Sequence, residues 1–167
     1  MQFSSAQWHL LFNHFPIILS ITAAGLMVLA FFIRNKGFVQ TAMFVLVLAG
    51  ISAIPAFQTG EGAEETVEEL AGVDHQQIHV HEHQAQTGMR VTVGAGIIAL
   101  IGMLWMRSKK VQPMLPVVLV AIAAFTSSYF MTMVGHSGGL IRHPEISADG
   151  GGSTPVMQND HRDDDDD

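Results

Sequence analysis

The chain has 167 residues, of which 49% are hydrophobic and only 14% charged. This composition is too apolar for an ordinary soluble domain, and the length fits one compact unit. The formal net charge of −7 disfavours nucleic-acid binding, and the lack of cysteine excludes disulfides and thiolate metal ligands.

Four long apolar stretches divide the chain. A helix needs about 20 mostly apolar residues to cross a hydrocarbon core of roughly 30 Å, and the four stretches have this length or approach it when their flanks are included. They predict membrane-spanning helices at about residues 10–33, 38–57, 87–106 and 113–134. We therefore expect an all-α, integral membrane four-helix bundle over residues 1–146.

The segment between the second and third spans, residues 58–86, is predicted to be helical. Helical spacing from Glu61 to Leu70 ends at Gly72, a natural stop. A second helix is predicted to start at Asp74, an N-cap type of residue, and to run through the histidines into the third span. The C-terminal residues 147–167 are rich in Gly, Ser, Asp and Pro, which predicts a disordered acidic tail.

Two further patterns concern the helices themselves. Pro113 and Pro116 predict the start of the fourth helix, because proline in a first turn lacks no needed hydrogen bond. Ala95, Ala99 and Gly102 form a stripe of small residues on the third helix, which predicts close helix packing.

The basic residues predict the orientation in the membrane. Five of the eight lie in two short connections that contain no acidic residue: Arg34, Lys36, Arg107, Lys109 and Lys110. Short basic loops are cytoplasmic by the positive-inside rule. Both termini and the 58–88 loop are then extracytoplasmic, and all nine histidines and all fifteen acidic residues fall on that side.

Several histidines form a predicted layer close to the outer membrane boundary. At about 1.5 Å rise per residue, His14, His83 and His136 fall within roughly 10 Å of it. Imidazole is a common ligand for metal ions and haem iron, and sites in bundles are assembled from separate helices. The single histidines His9, His75 and His161 are interpreted as interfacial or capping groups.

The segment 75–83 contains four histidines. His75, His79 and His83 are four residues apart and share one helix face, while His81 points elsewhere. The alternating histidines at 79, 81 and 83 indicate either a binding site or a polar surface in an acidic loop.

Charged residues close to this layer admit two interpretations. The carboxylates of Glu61, Glu65 and Glu82 either orient imidazoles or bind a hard ion directly, or they hydrate the loop and make the layer a pH sensor. Arg90 lies near the membrane edge, where its side chain either reaches toward water or pairs with an anion.

Two motifs resemble a bacterial family. Residues 9–17 read His-x4-His-Phe-Pro-Ile and residues 138–143 read Gly-Gly-Leu-Ile-Arg-His. They resemble a widespread family of four-helix integral membrane proteins, known as a domain of unknown function. Members of this family carry a His-Phe-Pro motif in the first helix and a Gly-Gly-x-x-x-His motif after the fourth. The outer segment from Thr59 to Glu82 is similar to that of a subgroup. The resemblance implies location in the bacterial cytoplasmic (inner) membrane. It implies shared positions at His14, His81 and His143, with Glu61, Glu82, Arg142 and Glu145 beside them.

Three functions are consistent with these observations. The first is a membrane-bound haem b protein in electron transfer or haem handling, with its histidines at the extracytoplasmic interface. The second is binding or delivery of a copper, zinc or iron ion by His and Glu ligands. The third is a non-catalytic, pH-responsive or docking subunit of a membrane complex, such as a respiratory one.

The first two functions predict overlapping sets of ligand residues. Haem is expected to contact His14, His81 and His143, with Arg90 and Arg142 pairing with its propionates. A metal ion is expected to contact two of the same histidines and four further residues: His14, His81, His83, His136, Glu61 and Glu82. No nucleophile with an obvious base, phosphate loop or known catalytic signature appears, so we expect no catalytic activity of the chain's own. The expected partners are the lipid bilayer and other membrane subunits.

Overall fold

The computed structural model describes residues 4–68, 75–107 and 113–142, and it confirms the predicted all-α bundle. The helices are α1 (Ser5–Phe12), α2 (His14–Ile33), α3 (Lys36–Glu68), α4 (His75–Arg107) and α5 (Met114–Arg142). Four stretches are long and apolar enough to cross a membrane, and α1 and α2 together make the first of them. The four are Ser5–Ile33, Lys36–Glu64, His75–Arg107 and Met114–Ile141.

The described parts of the predicted helical outer loop, residues 58–68 and 75–86, are extensions of two of these helices. Helix α3, which contains the second membrane-spanning stretch, continues through Pro55 as far as Glu68, and α4 already begins at His75. Several sequence predictions concern residues outside the described ranges: the stop at Gly72, the N-cap at Asp74, the basic residues Lys109 and Lys110, and the acidic tail.

The four long helices, α2 to α5, form a square in cross-section. Each of α2 and α4 packs against both α3 and α5, while α3 and α5 lie diagonally and hardly touch, and α1 packs on α3. The interior contains mainly alanine, such as Ala99, together with methionine and valine, such as Met27, Met43 and Val120. Large apolar side chains lie outside, among them Phe32, which is 79% exposed. Small residues inside and large ones outside are typical of helices packed in lipid.

The backbones of α3 and α4 lie in close contact. A Cβ added at Gly50 would lie 3.1 Å from the carbonyl oxygen of Thr92 and 3.4 Å from Cα of Gly96. The predicted stripe of Ala95, Ala99 and Gly102 is buried on the same helix. Small residues therefore let the two backbones approach each other.

The two ends of the bundle differ in their charge. Among the described residues, Arg34, Lys36 and Arg107 lie at one end, where α2 joins α3 through a tight turn with Arg34 in the left-handed region (φ 49°). At the other end, the C-terminal parts of α3 and α5 meet α1 and the start of α4. This second end, which holds His9, His14, Glu64 and His81, is called the histidine end below.

Candidate functional site

A cavity of about 560 Å³ lies at the histidine end, and all five helices contribute to its wall. Its apolar lining includes Pro16, Ile17, Ile78, Met131 and Val134. The ionisable residues along its wall are three histidines and three glutamates: His9, His14, Glu61, Glu64, His81 and Glu82. The cavity is thus an apolar chamber with imidazoles and carboxylates at its edge.

His9, on α1, is held by α3. Its Nδ1 lies 3.0 Å from the carbonyl oxygen of Ala56 and 3.5 Å from Oγ1 of Thr59. Because a carbonyl oxygen only accepts, Nδ1 carries the proton and donates it to Ala56. In the neutral ring, Nε2 therefore keeps its lone pair. The ring packs on Gly60, where an added Cβ would lie 3.2 Å from its Cε1.

His81, on α4, is held by α5 in the same manner. Its Nδ1 lies 3.0 Å from Oγ of Ser137, and the Ser137 hydroxyl donates its one proton to the carbonyl oxygen of Val134 at 3.1 Å. The Ser137 oxygen must therefore accept from His81, so that Nδ1 again carries the proton and Nε2 keeps its lone pair. The ring packs on Gly138, where an added Cβ would lie 3.0 Å from Cε1.

A cluster of metal-ligand type lies at the mouth of the cavity. Ligand atoms of Glu64 on α3 and of His79 and Glu82 on α4 all lie within 4.8 Å of one another. The His79 Nδ1 and a Glu82 carboxylate oxygen are 3.7 Å apart. Glu64 is partly buried, whereas the side chains of His79 and Glu82 are 71% and 48% exposed. This cluster, Glu64–His79–Glu82, is called the rim cluster.

The structure brings four of the residues predicted as ligands to the cavity wall: His14, His81, Glu61 and Glu82. It does not bring the others there. His83 and His136 are exposed and do not line the cavity, and His83 lies instead beside His79 along a shallow surface depression. Arg90 is exposed and away from the cavity wall. The side chain of Arg142 and the whole of His143 lie outside the described part of the chain.

Three residues outside the predicted haem and metal ligand sets belong to the cavity wall or to the rim cluster. His9 lines the cavity, although it was interpreted as an interfacial or capping group, and Glu64 and His79 belong to the rim cluster. A sequence signal for His9 and His81 exists in their acceptor helices. A hydroxyl residue precedes glycine in both, as Thr59-Gly60 in α3 and Ser137-Gly138 in α5.

The charge of the cavity wall favours some ligands over others. Three glutamates line it, and no lysine or arginine does so among the residues that the structure describes. Glu61 and Glu82 are exposed and Glu64 is half-buried, and their carboxylates repel anions and attract cations, most strongly at Glu64, where the local dielectric is lower. The cavity therefore suits neutral or cationic ligands better than anionic ones.

Comparison of the chain with protein-family models, with curated proteins and with solved structures found no match. The family resemblance of the His-Phe-Pro and Gly-Gly-Leu-Ile-Arg-His motifs stays a prediction.

Proposed function

We propose that this membrane protein binds a divalent transition-metal ion at its histidine end, through Glu64, His79 and Glu82. The observation that carries the proposal is that three ligand atoms, from two different helices, lie within 4.8 Å of one another. An imidazole and two carboxylates form a donor set that zinc, copper and iron ions accept. Two carboxylate charges also balance the charge of a dication.

The exposure of the rim cluster supports reversible binding. A structural zinc site is closed by four protein ligands, whereas a site with three ligands keeps a position open for water or an exchanging group. His79 and Glu82 are both exposed, so an ion can enter and leave from the aqueous side. This arrangement fits capture, delivery or sensing of an ion.

The distribution of basic residues supports an extracytoplasmic position for this site. Arg34, Lys36 and Arg107 lie at the end opposite to the rim cluster. The positive-inside rule assigns that basic end to the cytoplasm. The proposal therefore places the protein in a bacterial cytoplasmic membrane, with the metal ion taken from the outer side.

Haem b is the competing ligand, because His9 and His81 line a cavity with free Nε2 lone pairs. Its propionates are anionic and need cationic or hydrogen-bond-donating partners. The described cavity wall offers glutamates and no lysine or arginine, and Arg90 is not part of it. For this reason we place a metal ion ahead of haem.

The test is a metal titration of the purified full chain in detergent, with elemental analysis and an absorption spectrum of the same sample. Zn²⁺, Cu²⁺ and Fe²⁺ are titrated separately. We expect one ion per chain. We expect His79→Ala to weaken binding about 100-fold or more, since even the loss of a residue that only orients a ligand costs about 10- to 100-fold.

The test variants are His79→Ala and Glu64→Gln, and each has a matched control. His83→Ala removes an exposed histidine from the same helix as His79, and Glu61→Gln removes a carboxylate charge from the same helix as Glu64. Both controls are expected to leave affinity within about twofold, because neither residue belongs to the rim cluster. Absence of any bound ion, or equal losses in controls and test variants, would overturn the proposal. A Soret band in the spectrum would favour haem instead.

A further inference from the structure

His9 and His81 are related by a repeated arrangement. Each ring lies on a glycine of the neighbouring helix, Gly60 or Gly138, and its Nδ1 donates to the helical turn that precedes that glycine. His9 bonds directly to the carbonyl oxygen of Ala56, four positions before Gly60, whereas His81 reaches the carbonyl of Val134, four positions before Gly138, through the Ser137 hydroxyl. Two similar arrangements are thus built on two diagonal helices.

This repetition defines the chemistry that the cavity offers. Both Nδ1 atoms are donors to the protein, so both Nε2 atoms are acceptors with no hydrogen-bond partner among the described residues. His9 bonds to α3 and His81 bonds to α5, and both rings line the same cavity. A ligand in this cavity therefore meets two imidazole acceptors and, beside them, apolar side chains such as Ile17 and Met131.

Two ligand classes fit this pair poorly. A metal ion needs more than two protein ligands in most sites, and the group of ligand atoms found within 4.8 Å in the described residues is the rim cluster, which contains neither His9 nor His81. A ligand with carboxylates or phosphates meets three glutamates and no described basic residue on the wall. The two imidazole acceptors and the apolar side chains beside them favour an uncharged, apolar ligand that carries hydrogen-bond donors.

We propose that the cavity binds a hydroquinone, a flat apolar ring whose two hydroxyl groups donate hydrogen bonds to Nε2 of His9 and Nε2 of His81. A hydroquinone of this kind is soluble in the membrane that the helices around the cavity are apolar enough to span. The volume of about 560 Å³ accommodates a substituted ring and the first part of its tail. The proposed hydrogen bonds do not involve the rim cluster, whose residues Glu64 and Glu82 line the cavity but whose His79 does not.

The redox state of the ligand gives a sharp test. A quinone has nearly the same size and shape as its hydroquinone, but its oxygens only accept hydrogen bonds. We expect decylubiquinol to bind the full chain in lipid nanodiscs at least about tenfold more tightly than decylubiquinone, since two neutral hydrogen bonds are lost on oxidation. Anaerobic isothermal titration calorimetry, with a chelator present to remove metal ions, measures both affinities.

Substitutions at both histidines test the assigned acceptors. His9→Phe and His81→Phe keep a ring but remove Nε2, and each is expected to reduce the preference for the reduced form at least about threefold. Gly138→Ala is a second variant that acts on the His81 ring without removing it, because its Cβ lies 3.0 Å from Cε1. His83→Phe and Gly94→Ala serve as controls, since neither residue lines the cavity and an added Cβ at Gly94 meets nothing.

Three results would overturn the proposal: no binding of decylubiquinol, equal affinity for the two redox forms, or a preference that survives in the His9→Phe/His81→Phe double variant. Preferential binding that is also retained by His79→Ala shows that hydroquinone binding does not require the metal-binding histidine. Loss of metal binding in that variant bears on the proposed function alone, so the two proposals fail separately.

Discussion

The ring of His81 lies directly against the backbone of Gly138, so that an added Cβ would come within 3.0 Å of the ring carbon Cε1 and 3.4 Å of Nδ1. The glycine is therefore matched to the imidazole that packs on it. Its neighbour Gly139 has the opposite environment, because an added Cβ there would meet nothing within 4 Å. Two adjacent glycines of α5 thus differ in a way that substitution can measure.

Gly138→Ala is expected to be less stable than Gly139→Ala by about 1–3 kcal/mol. Both substitutions gain the same helix propensity, about 1 kcal/mol, but only the first forces the His81 ring to move, and overpacking costs about 1–3 kcal/mol. Thermal or denaturant unfolding in detergent, followed by circular dichroism, measures the difference. Equal stability of the two variants would contradict the contact.

The Ser137 hydroxyl sets the tautomer of His81, which gives a second prediction. Ser137→Ala removes the acceptor of the Nδ1 proton, and the loss of a typical hydrogen bond costs about 1 kcal/mol. Nitrogen-15 NMR of labelled histidine is expected to show His81 as the Nδ1–H tautomer in the parent and as a mixture in the variant. The control is Thr132→Ala, on the same helix, whose hydroxyl bonds only to Ser128 of its own helix. An Nε2–H tautomer in the parent would refute the assignment.

The close contact of α3 with α4 gives a third prediction. A Cβ at Gly50 would lie 3.1 Å from the Thr92 carbonyl oxygen and 3.4 Å from Cα of Gly96, and both of these are backbone atoms. The helices must separate to admit it, so Gly50→Ala is expected to lower the free energy of unfolding by about 2 kcal/mol. Gly94→Ala, where an added Cβ meets nothing, is expected to be neutral or slightly stabilising. A neutral effect at Gly50 would show that the helices are not in this contact.

The sequence predicted the four-helix bundle well because the membrane imposes a simple rule. A run of about 20 apolar residues has no other way to satisfy its backbone than as a helix. The stripe at Ala95, Ala99 and Gly102 was equally predictable from the sequence, since close helix–helix contacts in a membrane require small residues. Both patterns depend only on neighbours along one helix.

The candidate site was predicted only in part because it depends on contacts between helices. His9 joins the cavity through Ala56, which lies 47 positions further along the chain, and helix periodicity carries no information about such a contact. Spacing placed His79 and His83 on one face, as the structure also has them. Spacing along one helix could not show that Glu64 of α3 lies close to His79 and that His83 is not part of this cluster. The extension of α3 beyond Pro55 brings Glu64 to that position.

The orientation of the bundle is the fourth prediction, and the absence of cysteine makes it directly measurable. Gln76 is exposed at the histidine end and Asn35 is exposed in the basic turn between α2 and α3. Because short basic loops stay in the cytoplasm, a membrane-impermeant maleimide is expected to label Gln76→Cys in intact cells. It should label Asn35→Cys only after permeabilisation, and the parent chain serves as the blank. The reverse pattern would place the rim cluster in the cytoplasm. An ion bound there would be taken from the cytoplasmic pool, which would exclude the proposed capture from outside while leaving the ligand geometry unchanged.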